Sequence, residues 1–220
     1  MPTHVMPLIV KLLTAAVLLS LLWSRFSPSV CAATHLTGLP VCDDTGDVFN
    51  VATNTAAIFG ALLALFQGWL WRTWVGRLLQ WPIPNLTGTW RGTVMPGVPP
   101  AGQPLAPPSE VYLVVRQTAF GFRATLLSVQ SASRTVAAEF TQLNGDVELV
   151  YSYVNTPLQN IQHRSPVHQG TAVLTMASGR PRSMRGLYFT QRLTRGELLF
   201  DARSRELASD IVDARTLPYT

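Results

Sequence analysis

The chain has 220 residues, of which 47% are hydrophobic and only 13% charged. Soluble domains usually carry about 25% charged residues, so disorder and coiled coil are excluded and an ordinary soluble enzyme is disfavoured. The net charge of +5 is unevenly placed: residues 1–71 hold only Lys11 and Arg25 against Asp43, Asp44 and Asp47, and the other fifteen basic residues follow. A membrane-like first third thus precedes a polar, mildly basic remainder.

Residues 5–23 form the first predicted element, an apolar run carrying Lys11 in its first half, from where the ammonium can snorkel to the nearer interface. A cleaved signal peptide is the competing reading, but there the charge precedes the apolar run instead of lying inside it. Residues 48–71 follow, 24 residues without charge. As a helix this run spans roughly 36 Å, enough to cross a hydrocarbon core of about 30 Å. Trp69, Trp71 and Trp74 close it in the manner of an interfacial belt. Arg72, Arg77 and Arg91 come next, which places residues 72–220 in the cytoplasm and the 24–47 loop in the periplasm. Both cysteines, Cys31 and Cys42, fall in that loop, where an oxidising compartment permits a disulfide.

Ala52, Ala56, Gly60, Ala64 and Gly68 recur every fourth residue along the second helix. Small residues at this spacing let helix backbones approach closely. The partner is the first helix of the same chain, helices of other copies, or both, since a two-helix hairpin has faces to spare.

Trp81-Pro82-Ile83-Pro84 ends the helical region and opens a second unit, 82–220, after a membrane unit of 1–81. Eight runs rich in Val, Leu, Thr, Tyr and Phe follow, at 87–95, 111–118, 121–128, 134–142, 147–154, 169–176, 184–193 and 197–202. Short turns near 118–121, 143–146 and 193–196 favour an antiparallel meander, and eight strands close naturally into an up-and-down barrel. A β-sandwich is the alternative. The fold class expected is therefore membrane-anchored all-β: two transmembrane helices, then a small eight-stranded barrel. The 96–109 connection holds six of the sixteen prolines and the 155–167 connection holds His163 and Arg164. Only the tail 204–215 allows a further helix.

Catalytic signatures are absent: there is no G-x-S-x-G, P-loop, G-x-G-x-x-G or H-E-x-x-H. His163 and His168 lack a third ligand at metal-site spacing, so neither a metal nor a cofactor is expected. No basic run marks long nucleic acid as a partner. Two strands do carry polar and aromatic alternation, Tyr151, Tyr153 and Asn155 on one, Gly186, Tyr188, Thr190 and Arg192 on the other. Each set shares one face of its strand. If that face lines the lumen it offers rings for stacking and groups for phosphate, as a nucleotide requires. If not, Leu187 and Phe189 fill the core; periodicity alone leaves both open.

The ordered motifs behind the helix pair resemble a known family. They are Leu86-Thr87-Gly88-Thr89-Trp90-Arg91-Gly92, Tyr151-x-Tyr153-x-Asn155-x-Pro157, His168-x-Gly170-Thr171, Gly186-x-Tyr188-x-Thr190-x-Arg192 and Thr194-x-Gly196. Their arrangement resembles the CBASS antiphage effectors built from two transmembrane helices and a β-strand-rich cyclic-nucleotide receptor domain. The resemblance implies a non-enzymatic receptor in the bacterial inner membrane. It binds a cyclic dinucleotide made by a partner cyclic-oligonucleotide synthase, oligomerises and disrupts membrane lipid, killing the infected cell. It adds His168 to the candidate ligand-binding residues Tyr151, Tyr153, Asn155, Tyr188, Thr190 and Arg192. Trp90 also fits a lipocalin-type barrel, in which a tryptophan plugs one end. A membrane-anchored binder of an apolar metabolite is the rival reading, with a lumen of Leu, Val and Phe. A hydrolase with converging carboxylates or histidines is a third.

Overall fold

The computed structural model describes residues 5–34, 48–97, 107–179 and 181–220, with side chains from 5–25 and from residue 51 onward. The expected Cys31–Cys42 pairing and most of the proline-rich connection lie outside the residues so described. The chain forms two compact units, Met1–Trp81 and Pro82–Thr220.

In the first unit, α1 (Val5–Thr34) and α2 (Val48–Gly68) are each long and apolar enough to cross a bilayer, over Val5–Arg25 and Val51–Gly68. Helix α1 runs well past Trp23, where the apolar run was expected to end. Helix α2 stops at Gly68, short of residue 71; Leu70–Arg72 makes a single tight turn and Trp74–Leu78 a short α3 capped by Thr73. Helix α1 buries Val5, Leu8, Leu12, Ala16 and Ser20, an i, i+3/i+4 stripe. Ser20 donates to the Val51 carbonyl at 3.1 Å, which joins the two helices. Lys11 donates to the Leu79 carbonyl at 3.0 Å. The small-residue stripe of α2 lies elsewhere: Ala52, Ala56, Gly60, Ala64 and Gly68 are all exposed, and a Cβ on Gly60 or Gly68 would meet nothing within 4 Å. Packing against α1 therefore does not use this stripe.

The second unit is a closed antiparallel barrel in meander order, β1 (Gly88–Pro96), β2 (Ser109–Gln117), β3 (Phe122–Leu127), β4 (Ser131–Leu143), β5 (Asp146–Pro157), β6 (His168–Ala177), β7 (Met184–Thr190) and β8 (Arg195–Ser204). All eight predicted runs correspond to strands. The β4–β5 turn uses Asn144 and Gly145 at φ 51° and 91°, the left-handed pair that a two-residue hairpin needs. Strand β7 ends at Thr190, so Arg192 stands in the β7–β8 turn instead of continuing the strand face as its spacing suggested.

The lumen around Trp90 is closely packed. Leu86, Trp90, Leu113, Leu149, Leu174, Met184 and Phe200 are at most 0% exposed. Trp90 plugs the end at which the chain enters the barrel: its indole donates to the Leu86 carbonyl at 2.9 Å, and the Arg203 guanidinium lies over its ring, 5.1 Å from the centroid. Gln117 seals the same end, its side chain accepting from the Leu86 amide and donating to the Pro84 carbonyl. Trp90 thus closes one end of the barrel, the place that the lipocalin-type reading gave it. Strand β2 reads as a continuous apolar run because it is covered on both faces. Val111, Leu113 and Val115 face the lumen, while Tyr112 and Val114 lie under Ala208, Ala214 and the rest of the tail, including α4 (Ile211–Thr216).

Candidate functional site

The β5 face that alternates Tyr151, Tyr153 and Asn155 points into the barrel: all three are buried, while Ser152 and Val154 between them are only half-buried. On β7 the inward set is Met184, Gly186, Tyr188 and Thr190; Leu187 and Phe189 are outside, each 47% exposed. The polar alternation thus faces the lumen and the apolar one faces out, the reverse of what a purely apolar lumen requires.

Strand register gathers these groups at the end opposite Trp90. Ser133, Asn155 and His168 stand opposite one another across β4, β5 and β6, and Gly170 faces Thr190 across β6 and β7. Ser133 Oγ donates to Asn155 Oδ1 at 2.9 Å. His168 Nδ1 lies 2.8 Å from the Pro166 carbonyl, which can only accept, so the ring carries a proton on Nδ1. Thr190 and Thr194 hydroxyls are paired at 2.6 Å across the β7–β8 turn. Arg192, exposed, donates to Ser165 Oγ at 2.7 Å and so ties this turn to the β5–β6 connection. The structure brings Tyr153, Asn155, His168, Tyr188 and Thr190 to one polar rim with Arg192 at its edge. Tyr151 sits deeper, its ring 6.0 Å from that of Tyr153 and 6.2 Å from that of Phe122.

Two glycines make room for the rim tyrosines. Tyr153 is the cross-strand partner of Gly170, and Tyr188 of Gly196. A Cβ on Gly170 would lie 2.5 Å from Tyr153 Cζ, and one on Gly196 would lie 2.7 Å from Tyr188 Cε1. The ring in each pair occupies the space that a side chain on the glycine would take. These glycines were not among the candidate site residues, although both stand in the quoted motifs; the missing signal was strand register.

Burial controls the ionisation of these phenols. Desolvation pushes Tyr153 up to about 12, helped by the nearby Tyr188, and raises Tyr188 as well. Tyr151, wholly enclosed, is raised further by burial and by Tyr153. All three are neutral hydroxyl donors at physiological pH. A concavity of about 530 Å³ lies on the same strands, lined by Val136, Ser152, Tyr153, Gln169, Gly170, Thr171, Phe189, Thr190 and Gln191. It mixes outward residues such as Phe189 with rim residues Tyr153 and Thr190. No three His, Cys, Asp or Glu side chains gather into a potential metal site among the described residues.

Residues 81–202 match the family model for the Cap15 cyclic dinucleotide receptor domain. This chain belongs to the Cap15 family. The match spans the barrel from the Trp81 entry to Ala202 on β8, and so includes every residue of the polar rim. None of the curated proteins compared matches the chain. With the two apolar helices, the closed barrel gives this member of the Cap15 family the architecture of a CBASS effector.

Proposed function

We propose that this chain is a membrane-anchored receptor that binds a cyclic dinucleotide at the barrel's polar rim, associates on binding and breaches the bacterial inner membrane as an abortive antiphage response. The inward turn of Tyr153, Asn155, Tyr188 and Thr190 in a cyclic dinucleotide receptor family is the observation that carries this reading. Aromatic faces suit bases, while Thr190, Asn155 and the Arg192 guanidinium suit the sugar-phosphate ring. The barrel lies in the cytoplasm, on the side favoured by Arg72, Arg77 and Arg91, where a synthase releases the nucleotide. The exposed stripe Ala52/Ala56/Gly60/Ala64/Gly68 then packs helices of neighbouring copies. No step requires catalysis by this chain.

Calorimetry of the full-length protein in detergent with cyclic di-AMP, cyclic di-GMP and cyclic GMP–AMP tests the first step, and binding of at least one is expected. Absence of any heat with all three overturns the ligand assignment. Membrane depolarisation in cells producing the nucleotide tests the last step: Gly60→Leu leaves nucleotide affinity of the soluble barrel intact and abolishes depolarisation, because a large side chain holds the helices apart. Depolarisation at the wild-type rate would remove the stripe from the mechanism. A carboxy-terminal alkaline phosphatase fusion is expected to be inactive; activity would reverse the orientation.

A further inference from the structure

Strand β4 outlasts its neighbour on one side. It has thirteen residues and β3 only six, and the two pair only at Thr125↔Arg134, Leu126↔Ser133 and Leu127↔Ala132. Thr135 prolongs the contact with its side chain, Oγ1 accepting from the Ala124 amide and donating to the Ala124 carbonyl, both at 3.1 Å. Immediately afterwards the strand bulges at Val136. From Ala137 to Leu143 it pairs with β5 alone, and no other backbone hydrogen bond reaches this stretch among the described residues. The side chains confirm an open edge: Ala137, Ala138, Glu139, Thr141, Gln142 and Leu143 are all exposed, while Phe140 tucks edge-on against Phe122 with centroids 5.5 Å apart.

An unpaired strand edge is a template for another strand, and proteins that must not use it blunt it with lysine, proline or brevity. Residues 137–143 carry one acidic charge, no lysine and no proline. We propose that this edge joins two copies of the chain, strand to strand and antiparallel, into one sheet running across two barrels. The sequence of the edge selects a second copy. In a two-fold pairing, residues equidistant from the centre oppose each other on the same face. A centre at Glu139 sets like charges opposite and is disfavoured. A centre at Phe140 opposes Ala137 with Leu143, Ala138 with Gln142 and Glu139 with Thr141, so that small meets large, the carboxylate meets a hydroxyl and the two phenyl rings meet.

The same strand carries rim residues. Ser133 bonds Asn155, and Val136, at the bulge, lines the concavity with Tyr153 and Thr190. A nucleotide on these groups touches the strand whose free edge begins at the next residue, and favours pairing to the extent that it binds the paired state more tightly. This trigger rests on the function proposed above; the edge pairing does not.

The test uses full-length protein in detergent with Cys31→Ser and Cys42→Ser, which leaves no other thiol. Glu139→Cys with Thr141→Cys in that background is expected to give a disulfide-linked dimer on mild oxidation, and Thr175→Cys, on the exposed part of β6, none. Ala138→Lys with Gln142→Lys sets lysine against lysine twice across the pairing. It is expected to remain monomeric at concentrations where wild type associates while still binding nucleotide; Thr175→Lys with Leu199→Lys, at exposed positions of β6 and β8, associates as wild type does. Each arm is read with and without cyclic dinucleotide. Cross-linking that ignores nucleotide supports the edge and removes the trigger. No cross-link in either condition, or normal association of the Ala138/Gln142 lysine variant, overturns the edge.

Discussion

The ring of Tyr153 lies across the bare backbone of Gly170, its partner on the neighbouring strand, with 2.5 Å between Cζ and the place a Cβ would take. Both residues sit at the polar rim, so the glycine fixes the height of an aromatic surface offered to a ligand. The same Cβ would also come within 2.7 Å of the Phe189 carbonyl, which is backbone and gives way least. Gly170→Ala is therefore expected to destabilise the barrel by about 1–3 kcal/mol, the usual cost of overpacking. It should also weaken dinucleotide binding. Adding Tyr153→Leu should restore part of the stability and none of the affinity, which thermal unfolding and calorimetry on the pair of variants would read. Full additivity of the two substitutions would show that the ring and the glycine do not act together.

Asn155 and Arg192 make opposite demands on the fold. Asn155→Ala removes the acceptor of the buried Ser133 hydroxyl and should cost about 1 kcal/mol of stability. Arg192→Ala touches an exposed turn and should stay within about 0.5 kcal/mol. Each should lower dinucleotide affinity roughly 10- to 150-fold, the equivalent of about 1.5–3 kcal/mol. The Arg192 loss alone should shrink at high salt, because exposed charges are screened. Titration at two ionic strengths checks this; equal salt dependence in both variants would take Arg192 off the phosphate.

How far this site could be read from the chain depended on what kind of signal each residue leaves. Tyr151, Tyr153 and Asn155 stand on a strand whose alternation is unbroken, so their shared face was legible, but its direction was not, because Leu187 and Phe189 offered β7 an equally good core. The structure resolves this directly: Tyr188 and Thr190 turn inward on β7, and Leu187 and Phe189 are left outside. Arg192 was placed on the strand because period-two spacing carries no mark of where pairing stops. The Gly170 and Gly196 seats, the Thr135 side-chain bridge and the Val136 bulge depend on register between strands distant in sequence, which no local pattern encodes. All eight strands were legible because turn residues separate them.

Alkaline pH should unfold the barrel cooperatively. All five tyrosines, Tyr112, Tyr151, Tyr153, Tyr188 and Tyr219, are shifted upward, chiefly by burial; Tyr153 and Tyr219 reach about 12. The folded state holds these protons after the unfolded chain begins to lose them near pH 10. Stability from this source is complete below pH 10 and falls as pH rises from there toward 12. The slope is about 1.4 kcal/mol per pH unit for each buried phenol such as Tyr153. Phenolate absorbance should appear together with loss of near-ultraviolet ellipticity. Absorbance that rises first, in the ordinary tyrosine range, would contradict the burial of the rim.

The sealed end can be damaged without touching the rim. Trp90→Ala opens a cavity in the closed end and should cost about 3–5 kcal/mol. Arg203→Met keeps the stem but loses the cation over the indole and the bond to the Thr87 carbonyl, for about 1–2 kcal/mol. Burial already lowers the Arg203 pKa, aided by Arg205, so the charge sits there at a disadvantage that the indole offsets. Measured on the folded fraction, both variants should bind dinucleotide as wild type does. A loss of affinity in Arg203→Met would mean that the floor and the rim communicate.

That solid floor has a thermodynamic corollary. With Trp90, Leu113, Leu149, Leu174 and Phe200 already in contact, a guest cannot sink into the barrel and expel water from a deep apolar chamber. A guest bound as proposed would rest on the rim with one side in solvent, and little hydrocarbon surface would change its surroundings on binding. The heat-capacity change on occupancy should be small, with the enthalpy carried by hydrogen bonds and stacked rings and nearly constant across temperature. The face of such a guest left in water would also be the face that a second macromolecule could reach.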